Sequence, residues 1–213
     1  LLSVIATTAL PCFSDVTIVK SGKATATIVI PSKPSPEEKL SAERFQFYIQ
    51  KISGAKLPIV NQNTNVKGNR ILIGKQPGTF GLLDKMDAAK APEESSIVNA
   101  DNKTVRILGI DEVGTLHATY FTLEYLGCRW YLPGDWGTVI PKSKTLIIKA
   151  GEKLRSPSSK IRAGLPATGT AEDKDPTWAL NEWGRGNHLG GYLWWGCGHS
   201  YDFMVSAGTY FNT

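Results

Sequence analysis

The side chains with the greatest potential for chemistry lie at the C-terminal end of the sequence, in residues 187–213. Aromatic rings, two of the three histidines, an amide and several glycines occur together there. All six tryptophans lie between Trp130 and Trp195, and no tryptophan precedes Trp130. One helix or strand cannot use so many of these groups for packing, so the stretch indicates a surface that binds a ligand. Two regions with different roles are therefore predicted.

Four side chains of this stretch are candidates for binding. Trp194 and Trp195 are adjacent, so on a strand they point to opposite faces and only one can line a pocket. An indole offers an apolar face for stacking, although core packing is the better explanation for either ring taken alone. His199 follows in a glycine-flanked loop, where a neutral imidazole can hydrogen-bond a ligand hydroxyl and Tyr201 can assist. The alternative for His199 is a loop histidine without a role.

Two polar residues precede that strand, and a metal site is the other chemistry to consider. Arg185 and Asn187 either reach a ligand or cap a helix. Cys197, His199 and His188 have a spacing that fits no common structural zinc site, and a glycine-flanked loop does not fix three ligands. The sequence therefore predicts neither a metal nor a cofactor.

Carboxylates that could act as an acid and a base are not convincingly placed. Glu172, Asp173 and Asp175 form a run in a Gly/Thr-containing loop, which is typical of a solvated surface. Asp111 and Glu112 precede a predicted helix, where negative charge complements the helix dipole. No catalytic residue is predicted within this chain.

Length and charge limit the class of protein. A chain of 213 residues exceeds one typical domain of ~100 to 150 residues. A composition of 41% hydrophobic and 20% charged residues is normal for a folded globular protein. The net charge of +5 comes from scattered lysines, without a basic run. Because counterion release needs clustered phosphate contacts, a nucleic-acid partner is not predicted. The oligomeric state is left open.

The N-terminal segment, residues 1–14, predicts export. It forms an apolar run that is too short to cross the hydrocarbon layer of a membrane but matches the core of a bacterial signal peptide. Small residues are placed for cleavage before Asp15. Lipidation of Cys12 is an alternative, although Pro11 fits that signal poorly, and a buried first strand or helix is another. A secreted or periplasmic location without a transmembrane segment is expected.

The clearest secondary-structure signal is a helix that begins after Ser35. Ser35 can cap it, Pro36 fits the first helical position, Glu38 completes a capping box, and Gly54 ends it. Its apolar stripe consists of Ala42, Phe45, Ile49 and Ile52.

The remaining pattern predicts an α+β sandwich over residues 15–150, with a mostly antiparallel sheet and two helices. Residues 16–20 and 25–30 alternate and flank Ser21 and Gly22, which predicts a hairpin. A second helix is expected over about residues 111–126. Further strands are expected at residues 57–60, 70–73, 96–100, 104–108, 128–132 and 145–148.

Composition changes after residue 150. Residues 151–159 are rich in Gly, Pro, Ser and Lys, which is typical of a linker. A short strand at residues 160–164, a helix near residues 178–183 and a strand at residues 189–195 then predict the opening of an α/β fold.

Four strings together resemble a known family. They are Ile52-Ser-Gly-Ala-Lys-Leu-Pro-Ile59, Ile71-Leu-Ile-Gly74, Gly114-Thr-Leu-His-Ala-Thr-Tyr120 and Leu123-Glu-Tyr-Leu-Gly-Cys-Arg-Trp-Tyr-Leu-Pro-Gly134. They resemble the N-terminal, non-catalytic domain of α-glucuronidases and β-hexosaminidases. The closest resemblance is to the bacterial secreted DUF4838 group, in which this domain is joined to a glycoside-hydrolase-like barrel. It covers nearly all of residues 16–213.

The resemblance implies a fold and a site for the C-terminal part. Residues 160–213 would be the start of an incomplete (β/α)8 barrel, which needs ~250 residues when complete. Arg162 would lie at the C-terminal end of the first barrel strand and grip sugar hydroxyls or a uronate carboxylate. A surface or interdomain salt bridge is the alternative for Arg162.

The resemblance also implies a function. The chain would be the N-terminal part of a secreted glycoside hydrolase that degrades polysaccharides, with carbohydrate as its partner. Such enzymes generally need two carboxyl groups, and in related barrels the acid lies on later strands, so this part would not catalyse hydrolysis alone. A non-catalytic carbohydrate-binding module is the rival function, and a structural protein-interaction domain is a third.

Overall fold

The computed structural model describes residues 14–162 and 176–190. The helices are α1 (Pro36–Ser53), α2 (Phe80–Ala88), α3 (Glu112–Tyr125) and α4 (Pro176–Gly186). The strands are β1 (Val16–Lys20), β2 (Lys23–Ala24), β3 (Ala26–Ile30), β4 (Ile59–Asn61), β5 (Asn69–Ile73), β6 (Ser96–Asp101), β7 (Thr104–Gly109), β8 (Arg129–Trp130), β9 (Thr138–Val139), β10 (Leu146–Ile148) and β11 (Gly151–Arg155). The fold is mixed α/β.

The main sheet has six strands in the order β11-β6-β7-β5-β3-β4. The pairs β3/β4, β3/β5 and β5/β7 are parallel, and only β6/β7 and β11/β6 are antiparallel. For the main sheet the expectation of a mostly antiparallel arrangement was therefore wrong, whereas every pair in the two small sheets is antiparallel. The physical reason for the first of these parallel pairs is that α1 carries the chain back across the sheet between β3 and β4, and such a crossover joins parallel neighbours.

The predicted hairpin is only partly present. The turn at Ser21 and Gly22 joins β1 to the two-residue strand β2. Thr25 is the last residue held to β1: its backbone N–H donates to the Ile18 carbonyl at 3.0 Å, and its hydroxyl donates to the Thr17 carbonyl at 2.9 Å. The chain leaves this small sheet at that residue. β3 then joins the main sheet, while β1 pairs with β10. The turn signal is local, whereas the choice of sheet depends on distant strands.

The first helix forms as the sequence predicts. The Ser35 hydroxyl accepts from the Glu38 N–H at 3.2 Å, and the Glu38 carboxylate accepts from the Ser35 N–H at 3.0 Å. Gly54 ends the helix in the left-handed region, with φ 84°. The apolar stripe packs on one face of the main sheet beside α3 and forms most of the core with it. The buried side chains on this face include Ala42, Phe45, Ile49, Ile52, Ile71, Val105 and Ile107.

The third helix begins as predicted, at its cap Asp111. The Asp111 carboxylate accepts hydrogen bonds from the N–H groups of Gly114 and Glu94, both at 2.7 Å. Gly114 allows a close approach to the strand layer, because a Cβ there would lie 2.4 Å from the Ser95 carbonyl oxygen. α3 is therefore pressed between the sheet and α4, which explains why it is buried around most of its circumference.

Helix α2 was not predicted. It covers the other face of the sheet, where Leu82 and Met86 pack on Ile97 and Leu108. The helix has only nine residues, and its N-terminal Thr79 forms no side-chain cap, since its hydroxyl donates instead to the Gly74 carbonyl at 2.9 Å. Because α2 has neither a capping side chain nor a long apolar stripe, the sequence carries no strong helix signal there.

The first half of the expected linker is a strand. β11 (Gly151–Arg155) pairs antiparallel with β6 along its whole length and forms an edge of the main sheet. All of its residues are exposed, so backbone hydrogen bonds and not side-chain burial hold this strand in place. A composition-based interpretation does not detect this kind of strand.

The two stretches that the structure describes after β11, residues 156–162 and 176–190, meet at one bridge. Arg162 and Gly190 pair antiparallel, with their N–H groups donating at 2.9 and 3.3 Å. Adjacent strands of a (β/α)8 barrel are parallel, so this contact is not the pairing that a barrel start requires. Helix α4 lies where a helix was predicted. Across residues 14–162 and 176–190, no helix is long and apolar enough to cross a membrane.

Candidate functional site

The predicted site residues that the structure describes lie in two segments, residues 156–162 and 176–190, which are called the C-terminal segments below. Both segments pack beside α3, and α4 also covers part of α1 and the short strand β8. Side chains from α1, α3, α4 and β8 meet around Glu182, which is 2% exposed. A buried carboxylate is costly unless its oxygens are paired, so the partners of Glu182 decide how it is stabilised.

Both oxygens of Glu182 are occupied. Oε2 accepts hydrogen bonds from the hydroxyls of Tyr48 at 2.9 Å and Tyr120 at 2.7 Å. Oε1 lies 3.0 Å from Arg185 Nη1, in a hydrogen-bonded ion pair. Oε1 is also 2.9 Å from Arg44 Nε, an ion pair by distance in which the N–H is not aligned for a hydrogen bond. These four partners compensate the buried charge.

The two phenols are held in their protonated form. Burial, followed by the negative charge of Glu182, raises the pKa of Tyr48 and of Tyr120 far above the usual value. Each hydroxyl can therefore donate to Glu182 at any physiological pH. Trp130 Nε1 in turn donates to the Tyr48 oxygen at 2.9 Å, and the rings of Tyr48 and Trp130 pack edge to face, with centroids 5.3 Å apart. We call these side chains, with Glu182, Arg44 and Arg185, the Glu182 network.

The Glu182 network holds α4 in place. A general acid or base must reach a substrate proton, whereas Glu182 is enclosed and its oxygens are paired with protein groups. Close packing at the neighbouring glycine supports this assignment. A Cβ at Gly186 would lie 2.3 Å from the Trp130 ring, so α4 contacts β8 without space for a side chain.

Arg162 is engaged by protein groups on several sides. Its guanidinium forms a salt bridge with Glu94 and donates to the carbonyls of His188 (2.9 Å) and Ser159 (2.7 Å). The side chain is 17% exposed. This is the geometry of an intramolecular salt bridge, and a salt bridge is the alternative that the sequence leaves open for this residue.

Arg185 and Asn187 are also engaged. Arg185 belongs to the Glu182 network, and the Asn187 amide donates to the carbonyls of Trp130 at 2.8 Å and Trp183 at 2.9 Å. The second of these bonds closes the end of α4, which matches the helix-capping alternative. Sugar binding by Arg162, Arg185 or Asn187 stays a prediction, and in this structure their polar atoms point to protein partners.

A second buried group lies beside the bridge at Arg162. The His188 ring stacks on Phe121, with centroids 3.6 Å apart, and meets His117 edge to face at 5.7 Å. Burial first, and then the charges of His117, Arg155 and Arg162, lower the pKa of His188 to about 3. Glu124 is 3.9 Å away and would favour protonation, but burial and the cations outweigh it, so His188 is neutral at neutral pH. Neither ring nitrogen has a hydrogen-bond partner among the described residues.

The other predicted binding residues lie outside the described residues. They are Trp194, Trp195, His199 and Tyr201, together with Cys197 of the zinc alternative and the expected signal segment up to Phe13. Within residues 14–162 and 176–190, no three His, Cys, Asp or Glu side chains come together as a metal site.

Sequence reasoning missed Glu182 and its two tyrosine partners, although a signal existed. On α4 the buried or half-buried residues Ala179, Glu182, Trp183 and Gly186 follow the spacing of one helix face. A carboxylate on such a face needs a buried partner. Tyr48 and Tyr120 lie on the buried faces of their own helices, where a hydroxyl also needs one.

Comparison with known proteins gives a likeness in structure and none in sequence. No protein-family model matches the sequence, and no curated protein matches it. A solved family GH115 4-O-methyl-α-glucuronidase with specificity for decorated arabinogalactans aligns over 82% of this chain and 25% of its own, with a TM-score of 0.59 and 15% identity. The chain thus spans about a quarter of the length of that protein.

Two further solved structures align over less of the chain. The GH20 β-N-acetylhexosaminidase from Streptomyces coelicolor A3(2) covers 71% of this chain and 25% of its own, with a TM-score of 0.46 and 16% identity. The chitobiase from Flavobacterium johnsoniae covers 71% and 20%, with a TM-score of 0.41 and 14% identity. At these identities the likeness concerns the fold alone: the chain has the fold of a part of a glycoside hydrolase.

Proposed function

We propose that this chain is the N-terminal part of a longer, secreted glycoside hydrolase that degrades polysaccharides containing uronates or N-acetylhexosamines. The observation that carries the proposal is the fold shared with the GH115 α-glucuronidase over 82% of the chain. The motif strings around Gly74 and Gly134, which resemble the same group of enzymes, point in the same direction. Fold alone does not determine activity, so a direct test is required.

In this proposal the mixed α/β part is an accessory domain and the catalytic carboxylates lie C-terminal to Thr213. Glycoside hydrolysis generally uses two carboxyl groups, roughly 5 to 9.5 Å apart, one of which must be accessible to protonate the leaving group. The buried carboxylate of Glu182 does not meet this requirement, because its oxygens are held by Tyr48, Tyr120 and two arginines. Its role is to attach the C-terminal segments to the accessory domain.

The barrel is the part of the proposal that needs its own structural test. Residues 160–164 and 189–195 would be its first two strands, with α4 as the helix between them. The antiparallel bridge from Arg162 to Gly190 counts against parallel pairing at that point. A crystal structure of the full-length protein with parallel strands at these positions would support the barrel, and antiparallel strands there would overturn it.

The proposal also assigns a sugar-contacting role to residues after α4. Trp194 or Trp195 would stack on the sugar ring, while His199 and Tyr201 would bond its hydroxyls. In the full-length enzyme we expect His199→Ala and Trp195→Ala to weaken sugar binding. If both variants bind as the unmodified protein does, this assignment is wrong.

Activity is tested with the full-length protein on aryl α-D-glucuronides and aryl N-acetyl-β-D-glucosaminides, with the chain of residues 1–213 measured in parallel. We expect release of the aryl group by the full-length protein and none by the short chain. Full-length protein that binds polysaccharide but cleaves neither substrate class would favour a carbohydrate-binding module and overturn the enzyme proposal. Turnover by the short chain would show that catalytic groups lie within it.

Export is the remaining element of the proposal. Residues 1–14 would be the end of a signal peptide. N-terminal sequencing of the protein recovered from the periplasm or medium of a bacterial host is expected to give Asp15 as the first residue. A mature chain that retains these residues, or remains in the cytoplasm, contradicts this element.

A further inference from the structure

A cleft of about 340 Å³ lies on the accessory domain, away from the Glu182 network. The cleft opens where α3 ends. The helix does not extend over the edge strand β11, so this part of the sheet face has no helix covering it. Its walls are the last turns of α3 and the segment from Ile148 to Arg155. The volume falls within the range of ~300 to 1,000 Å³ that is usual for small-molecule sites.

The register of the sheet determines which side chains enter the cleft. Gly151, Lys153 and Arg155 of β11 pair with Ala100, Val98 and Ser96 of β6, and these residues share the face that carries α3. Glu152 also lines the cleft, but strand alternation directs its carboxylate to the opposite face, where Lys85 binds it at 2.7 and 2.9 Å. The two charged side chains that β11 directs into the cleft, Lys153 and Arg155, are therefore both positive.

One of these cations has no carboxylate partner within the described ranges. Arg155 is 3.6 Å from Glu124 and its guanidinium lies over the Phe121 ring at 4.2 Å. Lys149, at the mouth of the cleft, is paired with Asp15 at 3.0 Å. Lys153 makes no ion pair with a described carboxylate, and its ammonium lies 5.5 Å from the centroid of the Tyr125 ring.

The other surfaces of the cleft are mostly apolar or aromatic, with Ser96 and Thr122 as hydroxyl-bearing exceptions. Val98, Ala100 and Ile148 contribute an aliphatic floor, and the Tyr125 side chain beside Lys153 is 49% exposed. The hydroxyl of Thr122 is already used, since it donates to the Ala118 carbonyl at 2.8 Å. A ligand with many hydroxyls would leave them unpaired on this floor, whereas a flat ring would bury apolar area at no such cost.

We propose that this cleft binds a small aromatic monocarboxylate, whose ring packs on the aliphatic floor beside Tyr125 and whose carboxylate pairs with Lys153. Charge complementarity supports this ligand, because an unpaired ammonium stands at the edge of an apolar surface. This site is separate from the proposed glycosidase activity and does not depend on it.

The test is calorimetric titration of the chain of residues 1–213 with sodium benzoate at low salt. Benzamide, which has the same ring without the charge, and D-glucuronate, which has a carboxylate on a hydroxylated ring, are the comparison ligands. We expect benzoate to bind and each comparison ligand to bind about tenfold more weakly or not at all, because benzamide lacks the charge that pairs with Lys153 and glucuronate would leave its hydroxyls unpaired on the apolar floor. Raising the salt should weaken benzoate binding.

Two matched variants identify the residue responsible. Lys153→Gln is expected to weaken benzoate binding about tenfold or more, whereas Lys56→Gln, which removes an exposed lysine near the opposite edge of the sheet, should leave it unchanged. Circular dichroism checks that both variants fold. Absence of benzoate binding, equal affinity for benzamide or glucuronate, or equal behaviour of the two variants would each overturn the proposal.

No glycoside enters this assay, so its outcome is independent of the activity test. Benzoate binding without glycoside turnover would remove only the enzyme proposal. Turnover without benzoate binding would remove only the cleft proposal.

Discussion

The sheet region, residues 14–155, and the C-terminal segments are held by different forces. In the sheet region the main core between the sheet and the helices α1 and α3 is a large cluster of buried apolar side chains. The C-terminal segments are attached through a buried carboxylate, two arginines at Glu182, the Arg162–Glu94 salt bridge and a neutral, partly buried histidine.

The difference affects how each region responds to change. Apolar packing has no directional requirement and tolerates small shifts, whereas a buried charge requires each of its partners in place. Removing one partner leaves the others buried and unpaired, so the C-terminal segments should fail sharply and locally. The sheet region should lose stability in proportion to the buried area that is removed.

The largest effect is expected from the apolar core. Phe45→Ala removes a fully buried ring from α1 and should lower the free energy of unfolding by about 4 kcal/mol. Because α4 packs on α1, hydrogen exchange should rise in both regions. Chemical denaturation measures the first effect, and exchange followed by mass spectrometry measures the second. Phe80→Ala, at a half-exposed phenylalanine, is the control and should cost far less.

Glu182→Ala should separate the two regions. It leaves the hydroxyls of Tyr48 and Tyr120 and the two arginines without their shared partner, which costs about 3 kcal/mol of docking free energy. Exchange protection should be lost in α4 and retained in β5 and β7. Glu43→Ala, at an exposed carboxylate 4.0 Å from Lys39, is the matched control and should change little. Equal loss of protection in sheet and α4 would show that the regions are not held independently.

Acid should also act on the C-terminal segments first. The pKa of His188 is about 3 in the folded protein against an ordinary value of 6.5. Between these two pH values the unfolded state therefore binds a proton on His188 that the folded state does not bind. Its contribution is full above about pH 6.5 and falls by up to about 1.4 kcal/mol for each pH unit below it. The measurement is stability against pH for the unmodified protein and for His188→Leu, which should show a smaller slope. Identical slopes would mean that His188 does not carry this dependence.

The smallest expected change tests a local element of the sheet region. Ser35→Ala removes the hydroxyl that caps α1 and should cost about 1 kcal/mol. Ser35→Asp retains an acceptor and should restore most of that stability. Thermal unfolding of the three proteins measures both changes, and an equal loss in both substitutions would argue against capping as the cause.

Local signals predicted the elements that depend on local contacts. The cap, stripe and terminator of α1, the start of α3 and the helix near residues 178–183 are all confirmed. The predicted strands at residues 96–100 and 104–108 are also confirmed, and the turn between them places Asn102 and Lys103 at positive φ values of 38° and 72°. Each of these depends on residues within a few positions of each other.

Sequence signals failed where the strand or helix that an element pairs with or packs on is distant in the sequence. β3 follows a hairpin turn but joins other strands in parallel, and β11 has a linker composition but pairs with β6. Helix α2 lacks a capping side chain and is fixed by packing on Ile97 and Leu108. Of the predicted binding residues, Arg162, Arg185 and Asn187 lie within the described structure, and their ligand role stays a prediction.

The sequence by itself determined the mixed class of the fold, because helix caps and apolar periodicity are properties of neighbouring residues. Only the tertiary structure decided the direction of the sheet strands and the environment of Glu182. Tyr48 and Tyr120 lie 134 and 62 positions from Glu182, yet both donate to one of its oxygens. A carboxylate acquires such partners only when three helices pack together, and its role as a buried attachment point follows from that packing.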